Sequence, residues 1–338
     1  MQRWHGLDAI PTGWGQCVVT IGVFDGVHRG HAEIIGKAVD LAAQRGVPSV
    51  LVTFVPHPSE VVRPGTHPPV LTSIVRRAEL VEQLGVDVFC ALPFTLEFSR
   101  MPPEEFAYHA LVERLHAVGV IVGENFRFGH KAAGDVALLQ RLGQSFGFTA
   151  HGIGLLRDAD GDTPLSATYV RSCVKAGQLR AASEALGRPH RVDGVVERGD
   201  QRGRELGFPT ANLRTDAWAA VPADGVYAGR VFRLDEWGRT VAGAPLGDAA
   251  ISVGTNPTFE VRQRRVEAFV LDFDADLYGQ SLGVEFVERL RGMHTYDGAD
   301  ALVTQMHEDV ARTRTVLGTA GPPSGSGSGS ERARKGDS

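Results

Sequence analysis

Hydrophobic and polar positions follow one pattern before about residue 187 and a different one after it. In the first part, short continuously apolar runs alternate with stretches of helical periodicity, which predicts buried strands separated by helices. This alternation is typical of a doubly wound α/β domain whose parallel sheet is covered on both faces. The predicted strands are Val18–Ile21, Val50–Phe54, Val86–Leu92 and Val118–Val122. The predicted helices are Glu33–Gln44, Ile74–Leu84, Pro103–Leu115 and Val136–Leu142.

The pattern changes at Gly187, which is suited to end a helix, and Pro189, which cannot continue one. Short β-rich runs separated by glycine and proline follow, and they predict a small antiparallel barrel. The runs are Arg191–Val196, Val226–Phe232, Ala249–Val253, Val266–Phe273 and Gly283–Leu290, and a terminal helix is predicted over Ala299–Leu317. We therefore expect an α/β domain over 1–186, a barrel domain over 187–317 and a disordered, Gly/Ser-rich tail over 318–338.

Composition and charge narrow the class of protein. The 338 residues suit roughly two domains, and the formal net charge of −5 gives no general attraction to nucleic acid or anionic membranes. The basic run Arg262–Arg265 is predicted to be a solvated turn. No apolar run approaches the ~18 residues of a membrane span. The three cysteines, Cys17, Cys90 and Cys173, are far apart, odd in number and not in Cys-x-x-Cys pairs, so no disulfide framework is indicated and we expect a reducing, cytoplasmic location.

A glycine-rich turn between the first strand and the first helix is the sharpest chemical signal. It runs from Gly22 to His31 and places His28 and His31 at the start of the helix. Glycines, unpaired N–H groups and the positive end of a helix dipole suit the phosphates of a nucleoside triphosphate, and histidines can donate hydrogen bonds to them. No Gly-Lys-Ser/Thr follows, so this is not a Walker loop. Zinc binding together with His57, or a purely structural role, are the alternatives.

Three further motifs of the first half follow predicted strands or begin a helix. His57 stands between two prolines after the second strand, and Asn125 follows the fourth. Ser166, Thr168 and Arg171 surround a probable helix start, where they could hold a polyphosphate. The alternative is helix capping by Ser166 or Thr168, with Arg171 on a wet surface.

In the second half, Thr210 and Asn212 project to one side if the segment is extended. Their neutral oxygens suit Mg²⁺ beside phosphate, whereas an ordinary polar turn is the alternative. Glu267 shares a strand face with Phe269 and Leu271. We expect this carboxylate to be desolvated or partnered, as suits a general base, and an edge position facing water is the competing interpretation.

From residue 15 to 317 the sequence resembles the bacterial bifunctional riboflavin kinase/FAD synthetase family. The stretch Gly22 to His31 matches the family's Gly-x-Phe-Asp-Gly-x-His-x-Gly-His signature, and Leu206 to Asn212 matches its Leu-Gly-Phe-Pro-Thr-Ala-Asn signature. The resemblance implies a nucleotidyltransferase domain that makes FAD and pyrophosphate from FMN and ATP, followed by a riboflavin kinase barrel that makes FMN and ADP from riboflavin and ATP. The negative net charge and the lack of a long apolar run lead us to expect no nucleic-acid or membrane partner.

The resemblance also implies roles for single residues. In the kinase, Thr210 and Asn212 would bind Mg²⁺ and ATP together with Gly203 and Gly207, and Glu267 would take the proton of the ribityl 5′-hydroxyl. In the transferase, the imidazoles of the signature would stabilise charge on the α-phosphate and the leaving pyrophosphate. The remaining transferase contacts would be Gly22, Phe24, Asp25 and Gly30 on ATP, Ser166, Thr168 and Arg171 on its phosphate tail, and His57 and Asn125 near flavin and nucleotide.

Three positions depart from the family pattern. Val55 replaces an acid before Pro-His-Pro, Ala167 replaces the middle serine of Ser-Ser-Thr, and the segment Met293 to Tyr296 differs before the last helix. The first two bear on adenylyl transfer and the third on flavin closure of the kinase. Alternatives are a chain with one live activity, a nucleotidyltransferase for another phosphate compound, and a non-catalytic flavin- or nucleic-acid-binding regulator.

Overall fold

The computed structural model describes residues 1–158, 160–199, 206–243, 245–255 and 264–318. Six strands of the first half form one sheet in which all neighbours are parallel. They are β1 (Gln2–His5), β2 (Cys17–Ile21), β3 (Ser49–Val55), β4 (Val88–Pro93), β5 (Ala117–Gly123) and β6 (Thr149–Ile153). Their order is β1-β4-β3-β2-β5-β6, so the direction of winding reverses between β2 and β5. In such sheets ligands bind at this reversal, beyond the carboxyl ends of the strands.

Helices cover both faces of this sheet, as the continuously apolar strands predict. They are α1 (Arg29–Arg45), α2 (Pro58–Val62), α3 (Ile74–Gln83), α4 (Pro103–Phe106), α5 (Val136–Phe146), α6 (Ala167–Ala176) and α7 (Leu179–Leu186). On one face, Val19 packs with Leu111 and Leu139, and on the other Leu51 packs with Ile35 and Val81. The helix expected over Pro103–Leu115 changes character after α4, because residues 107–114 form a π-helix.

The second half closes into the expected antiparallel barrel. Its strands are β7 (His190–Glu197), β8 (Ala211–Thr215), β9 (Gly225–Arg233), β10 (Gly247–Thr255), β11 (Arg264–Val270) and β12 (Ser281–Arg291), in the order β10-β11-β8-β7-β12-β9. Alternate side chains, including Ile251, Val266 and Val284, fill the interior. The terminal helix α8 (Ala299–Leu317) packs Val316 and Leu317 against the outside of β9 and β12. None of the described helices combines the length and apolar character that a membrane crossing needs.

Three strands were not predicted from the sequence pattern. β1 and β6 lie at the sheet edges with mostly exposed side chains, so neither has a continuous apolar run. β8 alternates buried and less buried residues, but the predicted strands did not include it, and its start was considered either an extended metal-binding segment or an ordinary polar turn.

The solvated turn expected over Arg262–Arg265 is wrong for the part that the structure describes. Arg264 and Arg265 begin β11, and Nε of Arg264 lies 3.0 Å from Oδ1 of Asp224. The first two residues of the run lie outside the described ranges, as does the expected tail beyond Gly318.

The junction of the two halves is closely packed. α7 ends at Gly187, whose φ of 74° is in the left-handed region, as expected. Leu179 of the same helix, however, belongs to the hydrophobic core of the barrel. Val70 forms a parallel bridge with Ala219, and the backbone N–H of Thr240 donates to Glu79 of α3 at 2.5 Å. The α/β domain and the barrel therefore share an extensive contact surface.

Candidate active sites

The loop from β2 to α1 places two histidine rings against each other at the carboxyl edge of the sheet. His28 is the N-cap of α1, and its Nδ1 accepts a hydrogen bond from the backbone N–H of His31 at 3.3 Å. The ring centroids lie 3.6 Å apart and the rings are stacked. Because Nδ1 of His28 is an acceptor, its Nε2 carries the proton and is a donor.

The two imidazoles are held neutral. Burial, followed by the positive charge of Arg188, lowers the pKa of His28 to about 4. Burial and the neighbouring His28 bring the pKa of His31 well below its usual value. Nδ1 of His31 is buried and has no hydrogen-bond partner within the described ranges. An orphaned buried polar atom of this kind fits a site that is completed by a ligand.

The glycines of this loop allow close packing around it. A Cβ on Gly30 would lie 3.2 Å from the His28 ring, so glycine lets that ring fold over the start of α1. Gly26 has a φ of +80° and lies under Leu71, which a Cβ would meet at 2.8 Å. Its N–H already donates to Oγ1 of Thr72 at 3.0 Å. Gly22 is packed against the ring of Phe24 in a similar way.

Asp25 is buried, and its carboxylate is surrounded by donors. It accepts backbone hydrogen bonds from Leu71 and Thr72 and forms an ion pair with Arg171 at 2.6 Å. Burial would raise the pKa of Asp25, but Arg77 and Arg171 outweigh that effect and hold the pKa below its ordinary value. The carboxylate predicted to contact ATP is thus positioned to hold the arginine beside it.

Arg77 is a residue of this site that the sequence analysis missed. Its Nη1 donates to the carbonyl of Val23 at 2.9 Å and its Nη2 lies 3.5 Å from Asp25. It sits among the buried positions of α3. An arginine on the apolar face of a predicted helix is the signal that could have revealed it.

The segment with Ser166, Thr168 and Arg171 begins a helix, as expected. Ser166 caps α6 by accepting the backbone N–H of Tyr169 at 3.2 Å, and Thr168 lies in the first turn of that helix. Arg171 is only 14% exposed, and its Nε donates to the carbonyl of Pro69 at 2.6 Å. The wet surface position expected as an alternative for Arg171 is therefore wrong.

His57 and Asn125 lie beyond the carboxyl ends of β3 and β5. His57 follows a cis peptide bond between Val55 and Pro56 and caps α2, because its Nδ1 accepts the N–H of Ser59 at 3.1 Å. Burial and then Arg171 lower the pKa of His57 to about 4. Asn125 is exposed, so it can meet a ligand from the solvent side.

A cavity of about 630 Å³ opens at the same edge of the sheet. Six aromatic side chains line it: Phe54, Phe94, Phe98, Phe106, Phe126 and Phe128. The rings of the last two are stacked with centroids 5.5 Å apart. Its size and walls suit a planar ring system.

The barrel gathers its candidate residues on a different surface. Asn212 of β8 stands in register with Glu267 of β11 on one side and Glu197 of β7 on the other. The inward neighbours Ala211, Leu213 and Val266 are buried, whereas Asn212 and Glu267 are half-buried. The period-two pattern thus places the carboxylate beside the amide on the outer face of the barrel, and Glu267 has an interaction partner there, as expected.

A second cavity, of about 470 Å³, reaches Thr210 and Asn212. The loop after β11 contributes Asp274, Asp276 and Tyr278, which the sequence analysis did not identify. Nδ2 of Asn212 lies 3.4 Å from the carbonyl of Thr210, so the amide oxygen points away from that carbonyl. Gly207 has a φ of +84°, a conformation suited to glycine. Gly203 lies outside the described residues.

The chemistry of the donor atoms indicates which metal ion each site could bind. Among the described residues, no group of three or more histidine, cysteine or acidic side chains is arranged to hold a metal ion. The hydroxyl of Thr210 and the amide oxygen of Asn212 are hard, neutral ligands beside a cavity. They fit Mg²⁺ that brings phosphate oxygens with it, because Mg²⁺ is usually bound by few protein ligands.

Comparisons with known proteins assign both halves. A family model described as FAD synthetase matches residues 10–168, and one described as riboflavin kinase matches residues 186–317. Curated proteins named bifunctional riboflavin kinase/FMN adenylyltransferase are similar over most of the chain. The protein from Listeria monocytogenes is 34% identical, covering 89% of this chain and 92% of its own. The protein from Pseudomonas fluorescens is 35% identical, covering 94% and 98%, respectively.

A solved structure agrees over the full fold. A protein from Streptococcus pneumoniae described as a macrolide-efflux protein superposes with a TM-score of 0.81 at 28% identity, covering 93% of this chain and 99% of its own. The chain belongs to the bifunctional riboflavin kinase/FMN adenylyltransferase family, and it makes FMN from riboflavin and then FAD from FMN, with ATP as the second substrate of both reactions.

Proposed function

We propose that Glu267 is the general base of the riboflavin kinase and that His28 and His31 stabilise the adenylyl-transfer transition state. The observation that carries this assignment is the separation of the two groups. The stacked imidazoles lie at the start of α1 beside the parallel sheet, whereas Glu267 lies beside Asn212 on the barrel. Each domain thus supplies its own chemistry.

In the kinase, the ribityl 5′-hydroxyl of riboflavin attacks the γ-phosphorus of ATP, and ADP leaves. Glu267 accepts the proton of that hydroxyl as the new P–O bond forms. Thr210 and Asn212 orient the phosphates, with backbone contacts from the loop that contains Gly203 and Gly207. Mg²⁺ held by these oxygens would neutralise charge on the phosphates.

In the transferase, a phosphate oxygen of FMN attacks the α-phosphorus of ATP, and pyrophosphate leaves. Neutral His28 donates its Nε2 proton as a hydrogen bond to the charge that grows on the α-phosphate, and His31 donates from the same side. Two N–H groups of Arg171 are already engaged by Asp25 and Pro69. Its remaining N–H groups can contact the triphosphate tail near Ser166 and Thr168.

The aromatic cavity of the α/β domain is the site that we assign to the isoalloxazine ring of FMN. It opens at the carboxyl edge of the sheet, beside α2, which His57 caps. Phe126 and Phe128 offer stacking surfaces, and Asn125 can reach polar atoms of the ring. The buried free thiols of Cys17, Cys90 and Cys173 fit the reducing, cytoplasmic location that we propose.

A time course with the full chain tests the proposal. Purified protein is incubated with riboflavin, Mg²⁺ and ATP, and FMN and FAD are separated by chromatography. We expect FMN to rise before FAD, and FMN supplied without riboflavin to give FAD and pyrophosphate. FMN that accumulates without conversion would mean one live activity, and flavin bound without ATP consumption would mean a regulator.

A further inference from the structure

The loop that carries His28 contains backbone that needs outside support. Val27, the residue directly before His28, has a φ of +39°, and Phe24 has a φ of +51°. A β-branched residue rarely adopts a positive φ. Such conformations persist only where surrounding contacts fix them, and they concentrate at functional sites.

Arg188 supplies contacts at that point. Its Nη1 donates to the carbonyl of Val27 at 3.0 Å and to that of Leu186 at 3.1 Å, and its Nη2 donates to the carbonyl of Gly26. One guanidinium group thus bridges the end of α7 and two consecutive carbonyls of the loop. The planar fork of arginine suits such a bridge, whereas lysine offers a single ammonium.

The position of Arg188 in the chain makes this contact unexpected. It lies beyond α7, two residues before the first barrel strand, and inside the range matched by the riboflavin kinase model. The loop it holds belongs to the other domain. Arg77 supports that loop from α3, where it binds the carbonyl of Val23. The loop is therefore held by two arginines from its own domain, Arg77 and Arg171, and by one from the junction.

We propose that Arg188 is a positioning residue for adenylyl transfer: it holds Val27 in its left-handed conformation and so fixes the direction of the His28 ring. This inference rests on the proposed role of His28 at the α-phosphate. Arg188 does not contact substrate in this account. It sets the geometry of the group that does, and a displacement of about 1 Å at such a group costs roughly 100-fold in rate.

The first test compares variants of the full chain with FMN and ATP supplied. Arg188→Met should lower kcat for FAD formation by about 10- to 100-fold with a smaller change in KM for FMN. Kinase activity of the same sample should stay within about twofold, which shows that the protein is folded. Arg188→Lys should recover part of the loss. Arg180→Met, which removes an exposed arginine paired with Glu288 across the same junction, should change neither activity.

The second test removes the backbone strain itself. Glycine adopts a positive φ freely, so the loss caused by Arg188→Met should be at least several-fold smaller in a Val27→Gly background than in the wild type. Equal losses in both backgrounds, or equal losses of both activities, would overturn the proposal. If His28→Ala leaves FAD formation unchanged, the proposed role of His28 fails. If His28→Ala abolishes it but Arg188→Met does not lower it, the role of Arg188 alone fails.

Discussion

The ring of His28 caps α1, and in the role proposed above it also donates to a phosphate. Nδ1 caps α1 by accepting the N–H of His31, and this fixes the proton on Nε2, where a phosphate oxygen can accept it. Sequence motifs identify His28 and His31, because glycine spacing and the start of a helix are local properties. Arg77 and Arg188 were not predicted, because their role depends on carbonyls 54 or more residues away in the chain.

Substitution can separate the helix-capping role of His28 from its proposed contact with phosphate. His28→Asn keeps a side chain that caps helices well, whereas His28→Ala removes the cap, which typically costs about 1 kcal/mol. We expect both variants to slow FAD formation from supplied FMN by about 10²–10³-fold, because both lack the imidazole. The measurement is the rate of both reactions in one preparation. A fast Asn variant would show that capping alone matters.

The effect of Glu267 can be compared with that of a second carboxylate, because one glutamate lies on each side of Asn212 of β8. Glu267→Gln should slow the kinase by about 10²–10⁴-fold and leave FMN adenylylation intact, because a positioned base contributes that much. Glu197→Gln is the control, since Glu197 flanks Asn212 from the other side and pairs with Arg214 at 2.9 Å. Comparable losses in both variants would show that negative charge at these neighbouring strand positions matters, and that Glu267 is not a specific general base.

At the scale of elements, the start of α1 contains a glycine although glycine is a poor helix former, because a larger side chain would not fit there. Two glycines of this helix differ in surroundings. A Cβ on Gly30 would lie 3.2 Å from the His28 ring and 3.3 Å from the carbonyl of Leu165, whereas a Cβ on Gly36 would meet nothing within 4 Å. The helix pattern predicted residues 33–44 and missed the first turn, because Arg29, Gly30 and His31 lack apolar periodicity.

Alanine substitution at these two glycines should have opposite consequences. Gly36→Ala should raise the free energy of unfolding by about 0.5–1 kcal/mol without changing either activity, because alanine favours helix. Gly30→Ala should impair FAD formation at least tenfold by displacing the His28 ring, as a small misplacement suffices for such a loss. Urea unfolding measures the stability of each variant, and the rates of FMN and FAD formation measure its two activities. Normal FAD formation by Gly30→Ala would contradict the packing argument.

Buried neutral histidines make the stability of the whole molecule depend on pH. Burial lowers the pKa of His28, His57 and His190 to about 4, against about 6.5 in an unfolded chain. Between these values the unfolded state binds more protons, so the free energy of unfolding falls as pH drops from about 6.5 to 4. We expect a clearly lower urea midpoint at pH 5 than at pH 7.5, and a weaker pH dependence in His190→Gln. Equal midpoints would contradict the burial of neutral rings.

The boundary between the domains is a property of the whole molecule, and the sequence pattern predicts it at residues 186–187. Gly187 and Pro189 mark the end of a helix correctly, but that helix places Leu179 in the barrel core. We therefore expect a fragment over 178–318 to unfold at higher urea concentration than one over 189–318, with both assayed for FMN formation. Equal stability of the two fragments would place the boundary where the sequence pattern put it. Edge strands and the packing across the junction escaped prediction because their contacts are long-range.

The bridge between Val70 and Ala219 bears on how this molecule can be recombined with its relatives. The ring of Trp218 lies 3.7 Å from that of His67, and the next residues, Leu71 and Thr72, donate their N–H groups to Asp25. A hybrid enzyme that takes its barrel from a relative would replace the partner of this segment. Unless residues 216–220 are kept or both sides are exchanged together, such a hybrid should lose FAD synthesis while its transplanted kinase still works.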